Sequence, residues 1–179
     1  MIMFDYRKPV KELFVSDVKK IDTVYLHNSG NNNSIWTNTN YHLDDKKWNW
    51  LGYGYYLASG KVYWVRGYEY VNAGVKNHNG HGVSICVEGN YDIEAPSEID
   101  MVNLEALIIR LKKELPNLKH IKGHNEDYPT TCPGQYFPMD RFRDMLKTDE
   151  EYLTKREFKV FLDGYELQRK RMYRYINKN

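Results

Sequence analysis

The chain has 179 residues, a formal net charge of +2 and two cysteines. This length is typical of a single domain and is sufficient to bury a hydrophobic core. The small net charge does not indicate nucleic-acid binding, two cysteines exclude a disulfide scaffold, and no apolar run reaches the roughly 20 residues of a membrane-spanning helix.

The N-terminal part of the chain is predicted to lead into a β-strand. Residues 1–20 form a lead-in that mixes charged and apolar side chains, and Pro9 can open a short helix over residues 9–14. Residues 21–27 are a β-branched and apolar run that predicts a buried strand ending on His27. A histidine at that place is typical of functional sites in α/β proteins, although a satisfied core histidine explains it better when it is taken alone.

The next part of the chain is rich in aromatic residues. Residues 34–45 are predicted to be helical. Two strand-like runs, residues 48–57 and 61–66, flank a short turn that contains glycine, and this pattern indicates a β-hairpin.

A long loop separates the hairpin from the following strand. Residues 67–82 are predicted to form this loop, in which His78 and His81 are interpreted as polar loop residues rather than metal ligands. The loop leads into residues 83–87, an apolar run that predicts another strand.

The second half of the chain contains the clearest helix. Apolar residues repeat at helical spacing from a capping-box pattern at Ser97 until Pro116 stops the helix. Residues 118–122 are predicted to be a short last strand and residues 138–147 a further helix. Residues 148–179 are predicted to be a C-terminal helical extension whose basic helix has no assigned role.

The loop after the last strand carries the most informative residues. Gly123 and Gly134 bracket it, and two prolines exclude a helix there. The loop places His124 and Cys132 eight residues apart. Imidazole and thiolate groups are ligands that zinc takes in proteins.

His27, His124 and Cys132 all lie at predicted strand ends or in the loop beyond, so we expect them at one edge of the sheet. Two histidines and one cysteine give a zinc ion three protein ligands and leave a fourth position for water, which is the arrangement of a catalytic zinc site. Zinc held in this way activates water and polarises a carbonyl group. The sequence therefore predicts one zinc ion per chain and an amide hydrolase.

Two other interpretations use the same residues. In the first, Cys132 is the nucleophile of a cysteine hydrolase and His27 or His124 is its base. In the second, the zinc site is purely structural, which is disfavoured because no fourth protein ligand is evident.

Several motifs resemble the zinc-dependent N-acetylmuramoyl-L-alanine amidases of the type-2 family, which includes phage lysozymes of the amidase type and the peptidoglycan recognition proteins. The resemblance covers about residues 21–147. Its motifs are Tyr25-Leu26-His27-Asn28-Ser29, Trp50-Leu51-Gly52-Tyr53, residues 59–63 with Arg66, Asn79 with residues 83–91, and residues 123–134. Together with the order of strands and helices, this predicts an α/β fold: one domain with a central mixed sheet of five to six strands, flanked by helices.

The resemblance also implies roles for individual side chains. The two histidines and the cysteine match the family's zinc ligands. Tyr53 matches an active-site tyrosine that stabilises the oxyanion, and Thr130 stands where several members carry a lysine with the same role. Trp50, Arg66 and Asn79 lie in motifs from which we expect substrate-binding residues.

Four positions depart from the family pattern. Gly54 and Gly74 lie where many relatives have histidines that line the cleft, so we expect a wider groove with fewer proton carriers. Glu88 is a weak candidate for a base. Glu126 either orients a ligand histidine or is a solvated loop carboxylate. Gly54, Gly74 and Thr130 keep open a non-catalytic peptidoglycan-binding module, although such relatives typically lose the cysteine ligand that this chain keeps.

The resemblance implies bacterial peptidoglycan as the partner and the bond between the muramic acid lactyl group and L-alanine as the point of cleavage. We expect a monomer that binds no nucleic acid and does not insert stably into a membrane. The first residues lack the apolar region of a signal peptide, so we expect synthesis in the cytoplasm and action on the cell wall after release by a partner protein, as in a phage-type endolysin.

Overall fold

A computed structural model describes residues 1–146 and centres on a six-stranded mixed β-sheet. The strands are β1 (Ile2–Met3), β2 (Thr23–Asn28), β3 (Tyr55–Ala58), β4 (Lys61–Trp64), β5 (Gly82–Val87) and β6 (His120–Gly123). Their order across the sheet is β1-β4-β3-β5-β2-β6. The β3–β4 pair is antiparallel and the other neighbours are parallel. This confirms the predicted α/β domain with a mixed sheet.

Within residues 1–146, three α-helices flank the sheet: α1 (Ile35–Asn40), α2 (Glu98–Glu114) and α3 (Met139–Arg143). The α1 helix continues as a π turn over Tyr41–Asp45. A serine caps the start of both α1 and α2, and the cap at Ser97 confirms the predicted one. The Ser34 hydroxyl accepts a hydrogen bond from the Thr37 N–H, and the Ser97 hydroxyl accepts one from the Asp100 N–H.

The α2 helix packs on β3 and β4 through the apolar face that its periodicity predicts. The apolar side chains of this helix that lie in the core are Met101, Leu104, Leu107, Ile108 and Leu111. Burial of this face stabilises the sheet from one side and leaves its other face free to carry polar residues.

Strand β2 is an interior strand between the parallel strands β5 and β6, and all six of its residues are buried. Side chains alternate along a strand, so Tyr25 and His27 lie on one face of the sheet. The register pairs His27 with Cys86 and Tyr25 with both Ser84 and Lys122, which places all five on that face. This polar face carries the candidate site.

The N-terminal lead-in differs from the prediction. Residues 9–14 are not helical; the Val10 N–H donates to the Asn49 carbonyl and the Ser16 N–H donates to the Glu69 carbonyl, so this segment pairs with distant parts of the chain. A 3₁₀ turn occupies Val18–Lys20 instead.

Two other predicted elements are shorter than expected. The hairpin begins at Tyr55 rather than at residue 48, and its turn uses Ser59 and Gly60, both with positive φ. The last described helix ends at Arg143 and is followed by turns. The predicted extension over residues 148–179 lies outside the described residues.

Within residues 1–146, no helix combines the length and the apolar composition that a bilayer crossing requires.

Candidate metal centre

The loop after β6 folds back on itself and brings its histidine and cysteine together. His124 opens a 3₁₀ turn directly after the strand, and the Asn125 N–H donates to the Cys132 carbonyl at 2.8 Å. Gly134 closes the loop with a φ of +106°, where a Cβ would overlap the backbone of Tyr91. The loop therefore needs glycine there to lie against the strand end.

The three predicted ligands lie side by side. One ligand atom from each of His27, His124 and Cys132 lies within 4.8 Å of the other two. The His27 and His124 ring centroids are 4.6 Å apart, and the Cys132 Sγ lies 3.7 Å from His27 Nδ1. In the described part of the chain, these three residues are the one group of His, Cys, Asp or Glu side chains close enough to share a metal ion.

This geometry fits zinc. With Zn–N near 2.0 Å and Zn–S near 2.3 Å, tetrahedral coordination sets a nitrogen and a sulfur ligand about 3.5 Å apart, close to the observed 3.7 Å. Two imidazoles and one thiolate are donors that zinc prefers. His27 is 1% exposed, and its Nδ1 faces the cluster because this nitrogen contacts the Cys132 Sγ, whereas Nε2 lies towards Gly74 and has no hydrogen-bond partner.

Burial sets the protonation of the metal-free ligands. It lowers the pKa of His27, with His124 adding to the effect, and it also lowers the pKa of His124. It raises the pKa of Cys132 to about 12, although the Asn28 N–H donates to Sγ at 3.3 Å. A nucleophilic cysteine needs a lowered pKa, so these shifts disfavour the cysteine hydrolase interpretation.

Tyr53 lies beside the ligands. Its ring centroid is 5.3 Å from that of His27. Burial, and then the neighbouring Cys86 and Cys132 sulfurs, raise the pKa of Tyr53 above its ordinary value. The phenol therefore stays neutral and keeps a proton to donate.

Thr130 lies in the same loop as Cys132 and is exposed. Its Oγ1 accepts a hydrogen bond from the Cys132 N–H at 3.3 Å. The hydroxyl proton is not used in that bond, so Thr130 retains the ability to donate one hydrogen bond but brings no charge.

The sequence pattern of the family described as N-acetylmuramoyl-L-alanine amidase matches residues 17–135, which contain all three ligands. The chain belongs to this family. Among its curated members, the amidase of Sus scrofa is 32% identical over 119 residues and that of Homo sapiens is 31% identical over 113 residues. These matches cover 60% of this chain but only 18% and 19% of those proteins.

Solved structures share the amidase fold. The N-acetylmuramoyl-L-alanine amidase LysC from Clostridium intestinale has a TM-score of 0.72 and 23% identity, covering 83% of this chain and 97% of that one. A structure of the peptidoglycan recognition proteins LCa and LCx, solved as an ectodomain complex with tracheal cytotoxin, has a TM-score of 0.70 and 20% identity. This match covers 76% of this chain and 92% of that one. At these identities the likeness shows the fold.

Two of the three predicted substrate-binding residues lie in the interior, which corrects that prediction. Trp50 is 2% exposed and its ring stacks on Phe4. Arg66 is 5% exposed and donates to the Leu51 and Val71 carbonyls. Both residues hold the segment that carries Tyr53 and do not face a substrate.

Asn79, the third predicted substrate-binding residue, lies in the long loop and is partly exposed. Its side-chain oxygen accepts a hydrogen bond from the Val75 N–H at 3.0 Å. This contact closes the turn of the loop, and the amide nitrogen of Asn79 remains the part of the side chain that could reach a ligand.

The prediction that Gly54 and Gly74 widen the cleft is wrong, because neither position opens into a groove. A Cβ on Gly54 would lie 2.6 Å from the Gly67 carbonyl oxygen. A Cβ on Gly74 would overlap the Ser84 hydroxyl and lie 3.1 Å from His27 Nε2. The backbone passes so close to the sheet at these positions that only glycine fits without movement.

Glu88 and Glu126, the two acidic residues that depart from the family pattern, contact groups outside the cluster of His27, His124 and Cys132. Burial raises the pKa of the Glu88 carboxyl, and the Ile35 N–H, at the first turn of α1, and the Tyr56 hydroxyl act in the opposite direction. The Glu126 carboxylate accepts from the Gly123 N–H at 2.7 Å and from Arg143 at 3.3 Å. Glu88 therefore anchors a helix and Glu126 braces the backbone before His124.

Sequence reasoning missed two residues near the centre. His42 packs its ring 5.8 Å from that of Tyr53, and Asp127 holds the turn that follows His124. His42 lies in a predicted helix and Asp127 in a polar loop. A histidine in a helix and an aspartate in a polar loop are both common, so neither residue indicates a functional site from sequence. Only the fold brings them to the site.

Proposed function

We propose that the protein is a zinc-dependent N-acetylmuramoyl-L-alanine amidase that separates peptidoglycan stem peptides from the glycan. The observation that carries the proposal is the cluster of His27, His124 and Cys132, with a nitrogen–sulfur separation suited to tetrahedral zinc, inside the segment that matches the amidase family. The ion supplies Lewis-acid polarisation of an amide carbonyl and an activated water.

The protein's own residues supply the rest of the reaction. Water adds across the amide between the lactyl group and L-alanine, which yields a carboxylate and a free amine. Tyr53 keeps its proton because its pKa is raised, so its hydroxyl donates to the oxygen on which negative charge develops. Thr130 offers a second, neutral donor from the ligand loop.

Cleavage of this bond is tested by the products from purified peptidoglycan. We expect new amino termini that are L-alanine and no new reducing sugar ends. His27→Ala removes a ligand and abolishes this release, whereas His81→Ala, a partly exposed histidine outside the cluster, leaves it intact. New reducing ends, or new amino termini other than L-alanine, would contradict the proposal.

We further propose that the amidase acts on the cell wall as an endolysin-type enzyme. An amidase from Clostridium intestinale described as an endolysin shares the fold, with a TM-score of 0.70 and 24% identity. Added from outside to washed bacterial cells, the protein is expected to lower turbidity. The His27→Ala variant should not.

A further inference from the structure

The turn that begins with His124 is short and depends on few backbone hydrogen bonds. It spans His124–Glu126, and the N–H groups of Asp127 and Tyr128 donate to the His124 carbonyl at 3.3 and 3.1 Å. Isolated 3₁₀ turns have poorer hydrogen-bond geometry than α-helices. A ligand on such a turn needs another constraint to stay in place.

The Asp127 side chain supplies that constraint. Its carboxylate accepts a hydrogen bond from the Tyr25 hydroxyl at 2.5 Å and from the Lys122 ammonium at 2.9 and 3.0 Å. Tyr25 belongs to β2 and Lys122 to β6, and the two residues are paired in the sheet. One carboxylate thus ties the turn to two adjacent strands.

The connection leads directly to the other histidine ligand. Tyr25 is 1% exposed and lies two residues before His27 on the same face of β2. Asp127 follows His124 by three residues. His27 is therefore connected to His124 through strand β2, the buried Tyr25 phenol and the Asp127 carboxylate. All three have little freedom to move.

We propose that Asp127 is a positioning residue that fixes His124 relative to His27 by anchoring the turn to Tyr25 and Lys122. The proposal rests on the metal centre proposed above. Metal ligands must be held within a few tenths of an ångström to preserve coordination geometry, and residues behind the ligands provide this order. Charge assistance from Lys122 makes the carboxylate a stronger anchor than an amide of the same shape.

Zinc affinity measured by competition with a chromophoric chelator tests the proposal. Asp127→Asn keeps the shape of the side chain and should weaken zinc binding by about tenfold. This is the smaller of the losses in metal affinity that are typical when a residue that orients a metal ligand is replaced. Tyr25→Phe removes only the hydroxyl and should weaken it by a smaller factor. A double variant that combines Asp127→Ala with Tyr25→Phe should bind zinc no more weakly than Asp127→Ala alone, because Asp127→Ala already removes the acceptor of the Tyr25 hydroxyl.

The cobalt-substituted proteins give a second readout. The visible absorption bands of bound Co²⁺ report the coordination geometry, so they should change in Asp127→Asn and Tyr25→Phe. The matched control is Asp140→Asn, which removes an exposed carboxylate that pairs with Arg143. It should leave both the affinity and the spectrum unchanged. Melting of the metal-free proteins separates these effects from general loss of stability.

The outcomes separate the two proposals. Tight zinc binding by the wild type with equal affinity and spectrum in Asp127→Asn would overturn the role of Asp127 and leave the metal centre intact. Additive losses in the double variant would also overturn it. If Asp127→Asn does not fold, an unchanged affinity and spectrum in Tyr25→Phe would do the same. A wild type that binds no zinc would contradict the metal centre itself.

Discussion

Tyr53 is the side chain whose protonation matters most for the proposed reaction. Burial and two nearby sulfurs raise its pKa, so it is a hydrogen-bond donor at neutral pH. Replacing Tyr53 by Phe should leave zinc content unchanged and lower turnover on peptidoglycan on the order of 10²-fold, the loss typical of one oxyanion donor.

The matched control for this change is Tyr41→Phe, since Tyr41 is 46% exposed and lies in the π turn. It should keep full turnover. Wild-type rates in the Tyr53→Phe variant, measured with equal zinc content, would remove the phenol from the mechanism.

His42 makes stability depend on pH. It is 8% exposed and its Nδ1 accepts from the Gly52 N–H at 3.2 Å. Burial, with Arg66 and Lys46 adding to it, lowers the pKa of His42 from 6.5 to about 4. The unfolded chain therefore binds a proton more readily than the native protein, so His42 stabilises the fold above pH 6.5 and this stabilisation is lost as the pH falls towards 4.

His42→Gln isolates this contribution, because all other titrating groups are shared with the wild type. Between pH 7.5 and pH 5, the free energy of unfolding of the wild type should fall by about 2 kcal/mol more than that of His42→Gln. Chemical denaturation at both pH values measures the difference. Parallel decreases in the two proteins would show that the pKa of His42 is the same in the native protein as in the unfolded chain.

The clustering of His27, His124 and Cys132 could be predicted from sequence, whereas the burial of other site residues could not. His124 and Cys132 lie on a loop whose prolines exclude a helix, so their spacing already indicated a common site. Trp50 belongs to the same recognisable motif as Tyr53, and Arg66 belongs to the motif that follows it, but sequence does not show which way a side chain points. Their burial follows from packing against residues far away in the chain.

At the level of elements, the closest packing lies between the long loop and strand β5. Ser84 is 2% exposed, and its hydroxyl and Cβ occupy the space that a side chain at position 74 would need. Gly74→Ala should therefore destabilise the protein by about 1–3 kcal/mol, the usual cost of overpacking. Equilibrium denaturation measures this loss.

The second substitution in this test is Ser84→Gly, which removes the atoms that a Cβ at Gly74 would meet. The double variant should be more stable than Gly74→Ala alone, even though glycine in a strand itself costs about 0.5–1 kcal/mol. A Gly74→Ala protein as stable as the wild type would contradict the packing described here.

The regular helices and strands could be predicted from the hydrophobic pattern of the sequence, and the irregular segments could not. The apolar repeat after Ser97 and the run at residues 83–87 predicted α2 and β5 correctly. The lead-in did not form its predicted helix, because the Val10 N–H bonds to the Asn49 carbonyl, a contact between residues distant in sequence. Local propensity carries no information about such a pairing.

At the level of the whole molecule, strand order decides where the site lies. The sheet places β2 between β5 and β6, so the end of β2 meets the loop that follows β6. His27 therefore reaches His124 and Cys132 although about a hundred residues separate them in the chain. The alternation of predicted elements indicated one sheet, but the order of its strands became known only from the fold.

The central claim is that one zinc ion in this cluster makes the protein an amidase, and a metal titration tests it most directly. Metal-free protein is titrated with zinc while the release of L-alanine amino termini from purified peptidoglycan is followed. We expect no release without zinc and a linear rise that stops at one ion per chain, with no response in His27→Ala. Full release by protein shown to be metal-free would contradict the claim, and zinc bound at one ion per chain without release would indicate a peptidoglycan-binding module instead.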